Sequence, residues 1–325
     1  MNKFFKLYNK YGVLIILLIL MIIFWMINPV FMTVQNMINI LKQVSIIGIV
    51  AVGMTFVLVS DGIDLSVGGV ISLVCITLSL FVVKFNIPIF AAMALALIEA
   101  VIVGFINGAV IAKIKVPPLI MTLGTCTFLE GFNFTVCGGL PIYGLPNSLK
   151  WVGQYNVFGK IPVLVIAMLL MLAIGMFILN KTYLGRYFYA IGSNEEATRL
   201  TGINANRIRI TAYTLSGFMA GVAGILMLGR IGSGQPGAGD GYEMDVLTGC
   251  VLGGVSLSGG KGKLSNAIAG ILIIGVLSNG MSIAGMGTFP QKMVKGIVLI
   301  FAVVLDRLQY VKVRKKVKVN SAAEK

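Results

Sequence analysis

The sequence predicts an all-α integral membrane protein of about ten transmembrane helices, and three observations carry that reading. Hydrophobic residues make up 58% of the 325 and charged residues 11%, with a mean hydropathy of +0.97, far from the roughly 25% charge of soluble domains. Apolar runs follow one another at lengths close to the roughly 20 residues that cross a bilayer as helix. Lys and Arg collect in alternate connections between those runs, the pattern that retention of basic residues on the cytoplasmic side produces.

Taken in order, the first run is Val13–Ile27. It ends at Asn28-Pro29 with no small-residue cleavage site, so it is expected to stay as a helix and not to be removed as a signal. Val44–Ser60 and Leu65–Val83 follow, broken by Asp61 to Asp64. Ile87–Ala112 and Val116–Cys137 flank Lys113 and Lys115, and Ile161–Leu179 precedes the polar segment Lys181–Arg209. Ile210–Gly229 and Leu264–Met286 are again long. Met244–Ser258 and Met293–Leu305 are shorter and require tilt, flanking polar residues or a re-entrant path. No stretch outside the runs is long enough to bury a core, so residues 1–325 read as a single transmembrane domain.

With both termini cytoplasmic, the inner side collects Lys3, Lys6 and Lys10, Lys113 and Lys115, the basic residues of the 181–209 loop, Lys261 and Lys263, and a basic tail over 307–325. The net charge of +15 is then a topology signal, and nucleic-acid binding is the poorer reading of it. The tail also suits anionic lipid headgroups. Cys75, Cys126, Cys137 and Cys250 lie in or at the end of apolar runs without a C-x-x-C pair, which points to neither a disulfide framework nor a metal site. The absence of histidine excludes a histidine-dependent triad, a zincin site and a haem histidine.

Spacing also hints at an internal repeat. Asn107-Gly108, Pro118, Met121 and Gly124 recur with identical spacing as Asn279-Gly280, Pro290, Met293 and Gly296, and the two copies run in opposite directions, as an inverted repeat requires. A second match, Gly62–Gly68 with Gly254–Gly260, places both copies on one side. The many glycines are read first as close helix packing, densest in Gly217, Gly221 and Gly224.

The chemistry-bearing residues fall into three groups. Acids at membrane depth are costly and face a wet path or a partner, which makes Asp61, Asp64, Glu99 and Glu130, with Ser66, Asn107, Asn279 and Gln291, the candidates for a translocation path. Asp64 also suits a helix cap through the amides of residues 66 and 67. No basic residue is expected deep in a helix to meet a substrate carboxylate. The second group is the cytoplasmic stretch Ser193, Asn194, Glu195, Glu196, Ala197, Arg199, Leu200 and Gly202, read as one short helix with a Ser193/Glu196 capping box and a left-handed stop at Gly202. The third is the external glycine run Gly232–Gly241, where Gln235, Pro236, Asp240 and the following Tyr242 are candidates for docking an outside partner. It lies on the wrong side of the membrane for nucleotide, and no G-x-x-x-x-G-K-[ST] occurs in the chain.

These residues resemble a known family, the membrane permeases of monosaccharide ABC importers, and most closely the ribose type. The resemblance covers nearly the whole chain and is carried by Gly62–Gly68, Pro117–Gly124, Leu184–Tyr187 running into Ala190–Ile203, Gln235–Asp245 and Val251–Gly262. It implies a permease of the bacterial cytoplasmic membrane with no catalysis of its own and no cofactor bound directly. ATP and Mg would sit on a cytoplasmic ATPase with two nucleotide-binding domains, whose clefts receive the 193–202 helix. It further implies an extracytoplasmic sugar-binding protein and a second permease copy. The chain departs from the ribose-type pattern at Met286–Lys292, where Gly-Thr-Phe-Pro-Gln replaces a more aromatic stretch. The sugar therefore stays open, as do permeases for furanosides, nucleosides or branched-chain amino acids and, in another class, a cation-coupled carrier using Glu99 and Glu130.

Overall fold

The computed structural model describes the backbone of residues 3–159 and 161–323 and the side chains of 12, 14–159, 161–304 and 307. The helices are α1 (Lys3–Ile27), α2 (Val34–Val59), α3 (Val67–Val83), α4 (Ile89–Ala109), α5 (Pro118–Val136), α6 (Asn147–Gln154), α7 (Val163–Lys181), α8 (Tyr183–Ser193), α9 (Glu195–Leu200), α10 (Ala205–Ile231), α11 (Tyr242–Leu252), α12 (Leu264–Ile283) and α13 (Thr288–Ala323). A two-residue antiparallel pair, β1 (Asn156–Val157) with β2 (Ile161–Pro162), closes the turn after α6. Each of the ten apolar runs contains a helix. Among the described residues six helices are long and apolar enough to cross a membrane, and Leu14–Ile27 and Val67–Val83 are shorter apolar helical stretches. Of the basic tail, only Arg307 has a described side chain.

Caps move several boundaries away from the apolar runs. Thr33 accepts the Asn36 N–H and starts α2 at Val34, well before Val44, while Asn204 accepts the Arg207 N–H and starts α10 at Ala205. A carbonyl-spacing change at Val110–Ile114 gives a π-turn, and Lys115 ends it in a left-handed conformation at φ 67° before the Pro117-Pro118 entry to α5.

The centre of the bundle is α2 against α10, with α3, α11 and α12 around them. In α2, 83% of the apolar window is buried, against 22% in α4 and α5, whose outer faces are apolar and uncovered by the rest of the chain. The α4–α10 crossing is close because Gly104 and Gly217 meet: a Cβ on Gly104 would stand 3.1 Å from the Gly217 Cα. On the far side of the bundle Asn36 and Asn279 exchange hydrogen bonds, Nδ2 to Oδ1 in both directions at 2.9 and 3.0 Å, which joins α2 to α12.

Connections segregate to two ends. At the basic end Lys115, Glu195, Arg199 and Arg209 meet, the Gly260 N–H bonds the Val59 carbonyl, and Tyr189 donates to the Gly262 carbonyl. At the opposite end Ile142 pairs with Gly234, Gln154 donates to the Arg230 carbonyl, and Asn28 donates to the Ile283 carbonyl.

One expectation is corrected here, and the path of the short run Met244–Ser258, which the sequence left open, is defined. The glycine run 232–241 is not a free external turn. It runs down the flank of α3, from Gly234 beside Cys75 and Ser79 to Gly239, whose N–H bonds Ser72 Oγ and which packs on Gly68. Met244–Ser258 likewise is not a full span. Its helix, α11, has 11 residues, roughly 16 Å at 1.5 Å per residue, and Gly253–Lys263 completes the way to the basic end. The glycine run, α11 and Gly253–Lys263 thus follow one another from the opposite end to the basic end, with irregular backbone on both sides of a short helix lying inside protein, the setting in which such backbone is tolerated at membrane depth.

Candidate functional site

Between α5, α11, α13 and the end of the glycine run lies a cavity of about 530 Å³. Glu130 comes from α5, Asp240 from the run, Glu243 and Asp245 from the first turn of α11, and Gln291, Lys292 and Lys295 from α13. The carboxylates outnumber the ammonium groups four to two. Lys295 Nζ donates to Asp245 Oδ2 at 2.7 Å, with the two side chains 24% and 10% exposed. Depth follows from helical rise. Gly253 packs on Ala267 near the basic end, and Asp245 stands roughly 12 Å beyond it along α11. Lys295 lies roughly 10 Å inside the opposite end of α13. The pair is thus near the middle of the bundle.

Sequence reasoning named Glu130, Asp240 and Gln291 from three distant segments, and the fold brings them together. It missed Glu243, Asp245, Lys292 and Lys295, and the expectation of no basic residue deep in a helix fails at Lys295. The available signal was a lysine two residues inside the Met293–Leu305 run, which by the cost of a membrane charge requires a partner acid.

A second polar cluster lies between this cavity and the basic end. Asp64 is wholly buried. Its Oδ1 accepts the Ser66 N–H at 3.1 Å and the Ser66 hydroxyl at 2.6 Å, Asn107 Nδ2 donates to Ser66 Oγ at 3.0 Å, and Thr125 donates to Asn107 Oδ1 at 2.7 Å. Thr122 and Tyr213 both donate to the Ile63 carbonyl at 3.2 Å. The expected cap through residues 66 and 67 is corrected to residue 66 alone, because Ser66 is itself the N-cap of α3. The cluster reaches the cavity through Gly68, whose missing side chain leaves room for the Glu243 carboxylate.

Other named residues go elsewhere. Glu99 is half-buried in α4 and Asn279 is occupied by Asn36, so neither joins the cavity or the cluster. Asp61 sits at the basic end, in left-handed backbone at φ 62°. Of the docking candidates, Pro236 is buried, Gln235 and Tyr242 are half-buried, and Asp240 is exposed and lines the cavity. Among the described residues no three His, Cys, Asp or Glu side chains are grouped to hold a metal ion.

At the basic end, α8 runs through Ser193 and consumes it, so the Ser193/Glu196 capping box does not form. Asn194 takes the role, its Oδ1 accepting the Ala197 N–H at 3.0 Å. Gly202 stops the turn at φ 85°, as expected. The buried side of α9 is polar, with Thr198 packed inward and Glu195 holding Arg199, Arg209 and Lys115 at 2.6, 2.7 and 3.5 Å. Its free side carries Glu196, Ala197 and Leu200, the last 90% exposed. A helix that turns a leucine outward beyond the bundle has a surface suited to a protein partner. Burial alone would raise the Glu195 carboxyl pKa, but the Arg209 hydrogen bond and the charges of Arg209, Lys115 and Arg199 outweigh it and hold it below the ordinary 4.5.

Comparison with known proteins gives a consistent result. Residues 36–303 match the family described as branched-chain amino acid transport system / permease component. The chain is 41% identical to the ribose import permease protein of Bacillus subtilis, over 92% of this chain and 93% of that one. It is 40% identical to the ribose import permease protein of Escherichia coli K12, over 90% and 92%, and 38% identical to that strain's L-arabinose transport system permease protein, over 94% and 92%. No solved structure matches the chain.

Proposed function

This chain belongs to the branched-chain amino acid transport system permease family, and from that premise we propose that it forms the membrane pathway of an ATP-driven importer for a neutral monosaccharide such as ribose. It is a multi-pass protein of the cytoplasmic membrane and a permease of a sugar ABC importer.

The observation that carries the finer reading is the mid-bundle cavity and the face onto which it opens. Glu130, Asp240 and Lys292 are exposed there, although charged groups at hydrocarbon depth cost roughly 2.5–3.5 kcal/mol each on insertion scales. Around them the faces of α5 and α13 are apolar, with Phe128, Phe134, Met293, Ile297 and Phe301 outward. A second copy of the chain across this face would turn an untenable lipid contact into a wet, two-sided path. The carboxylates and amides are acceptors and donors for sugar hydroxyls, and the excess of acids disfavours an amino-acid carboxylate. The absence of Glu99 from the lining of the Glu130 cavity weakens the cation-coupled reading.

The basic end is then cytoplasmic, with both termini on that side. The outward Leu200 face of α9 docks an ATPase with two nucleotide-binding domains, which holds the ATP and Mg. A sugar-binding protein engages the opposite end. Asn107 and Asn279, near opposite ends, fit the inverted repeat.

The test is uptake of labelled ribose into proteoliposomes holding the purified complex from native membranes, with the ATPase subunit checked by mass spectrometry. Uptake that requires ATP and the loaded binding protein is expected. Uptake that persists after ATP depletion under an intact ion gradient would overturn the reading in favour of a secondary carrier.

A further inference from the structure

Arg209 stands where three moving parts would meet. It lies in the second turn of α10, its side chain is 8% exposed, and it donates to Glu195 Oε2 on α9 at 2.7 Å. Its Nε is buried without an acceptor among the described residues. One turn further along α10, Tyr213 donates to the Ile63 carbonyl in the α2–α3 break, and Asp61, two residues before Ile63, is within electrostatic reach of both Arg209 and Glu195. Asp61 occupies the break between α2 and α3 and is fixed from below. A Cβ on Gly259 would stand 2.9 Å from the Asp61 Cβ and 2.8 Å from the Gly192 carbonyl, so the break, the end of α8 and the 253–263 segment are in direct contact. Three residues further along the same break is Asp64, the start of the hydrogen-bonded chain through Ser66 and Asn107 to Thr125, and Gly68, two residues past Ser66, packs against the Glu243 carboxylate of the cavity.

We propose that Arg209 is a positioning residue with two acceptors, holding Glu195 in the state described here and engaging Asp61 through its free Nε edge when α9 is displaced, so that movement of the ATPase-facing helix is delivered to the α2–α3 break. This rests on the importer reading above. The planar guanidinium is what the role needs, since it presents donors on separate edges at fixed angles, whereas a lysine ammonium offers one compact charge. An anchor with Glu195 as its only partner would work nearly as well with lysine. Asp61 is suited to its part because the left-handed conformation it adopts is one that Asp tolerates better than most residues.

The test uses the intact complex in proteoliposomes, with Arg209→Lys, Asp61→Asn and the double variant, each scored for ATPase co-purification, melting midpoint and sugar molecules imported per ATP hydrolysed. Arg207→Lys, at an exposed position two residues before Arg209, is the control. Each single variant is expected to keep the ATPase bound and the midpoint unchanged while transport per ATP falls at least about fivefold, the lower range of allosteric couplings. The double variant is expected to fall no further than the worse single one, because both remove the same link. Wild-type stoichiometry in Arg209→Lys or Asp61→Asn, or losses that multiply in the double variant, would overturn the proposal. Failure of the underlying importer reading looks different, since the unmodified complex would then show no ATP-dependent import.

Discussion

Replacing Lys295 with methionine isolates the energetics of the mid-bundle ion pair. The pair joins α11 to α13 at 2.7 Å with Asp245 only 10% exposed, and removing one partner of such a buried pair costs about 3–5 kcal/mol, because the remaining charge has lost its compensation. At roughly 2 °C per kcal/mol for a large domain, the melting midpoint should fall by at least about 6 °C. Replacing both residues, as Asp245→Asn with Lys295→Met, removes the uncompensated charge together with the bond, and exchange of a buried pair for neutral groups is often close to neutral. The double variant should therefore return to within about 2 °C of the parent on that scale. Asp245→Asn alone should cost less than Lys295→Met, since the 24% exposed ammonium can turn into the cavity. The assay is thermal unfolding of the purified protein in nanodiscs, followed by intrinsic fluorescence. An unchanged midpoint in Lys295→Met, or a double variant as unstable as the sum of the singles, would refute the claim that the pair is buried and mutually dependent.

Three further outcomes are expected. Gly68→Ala should fold but lose most uptake, because its Cβ would meet the Glu243 carboxylate and stand 2.8 Å from the Gly239 carbonyl, pushing the glycine run away from α3; import by proteoliposomes checks it. Asp64→Asn should keep at least about half of the uptake, since an amide oxygen can still accept the two Ser66 bonds, whereas Asp64→Ala strips both and should cost about 1–3 kcal/mol in stability. The attachment of α9 should be constant from neutral pH upward and weaken only in acid. Glu195 has a folded pKa below its ordinary 4.5, so its contribution is complete above that value and is lost as pH falls through the folded pKa; hydrogen exchange of the 195–200 amides should accelerate there, and Glu195→Gln should remove the dependence.

Helix existence was legible wherever a run was long and uniformly apolar, as in α4 and α7, because lipid contact selects the residue type directly. Asp64, Ser66 and Asn107 were each legible as polar groups at membrane depth, but their hydrogen bonding to one another was not, because Asn107 lies 41 residues from Ser66 in sequence. The glycine run was misread because its residues are small and polar enough to look like a surface turn. Burial there comes from backbone lying against α3, which no hydropathy pattern records. Ser193 and Asn194 are both good caps, and the choice fell to Asn194 only because α8 extends through Ser193. Lys295 was hidden inside an otherwise apolar run, and its partner lies 50 residues away in sequence, a pairing made because the short helix α11 begins near the middle of the bundle.

The reciprocal amide pair of Asn36 and Asn279 has an evolutionary side. Each asparagine satisfies both polar ends of the other's amide contact, so a change at either position strands a donor and an acceptor in an apolar setting. Drift at one site is penalised until the other follows. The two positions should accordingly vary together in related chains, and a mutational library that samples them singly will score as intolerant a contact that a paired replacement would largely spare, the remaining cost being the bond from Asn36 Nδ2 to the Phe31 carbonyl.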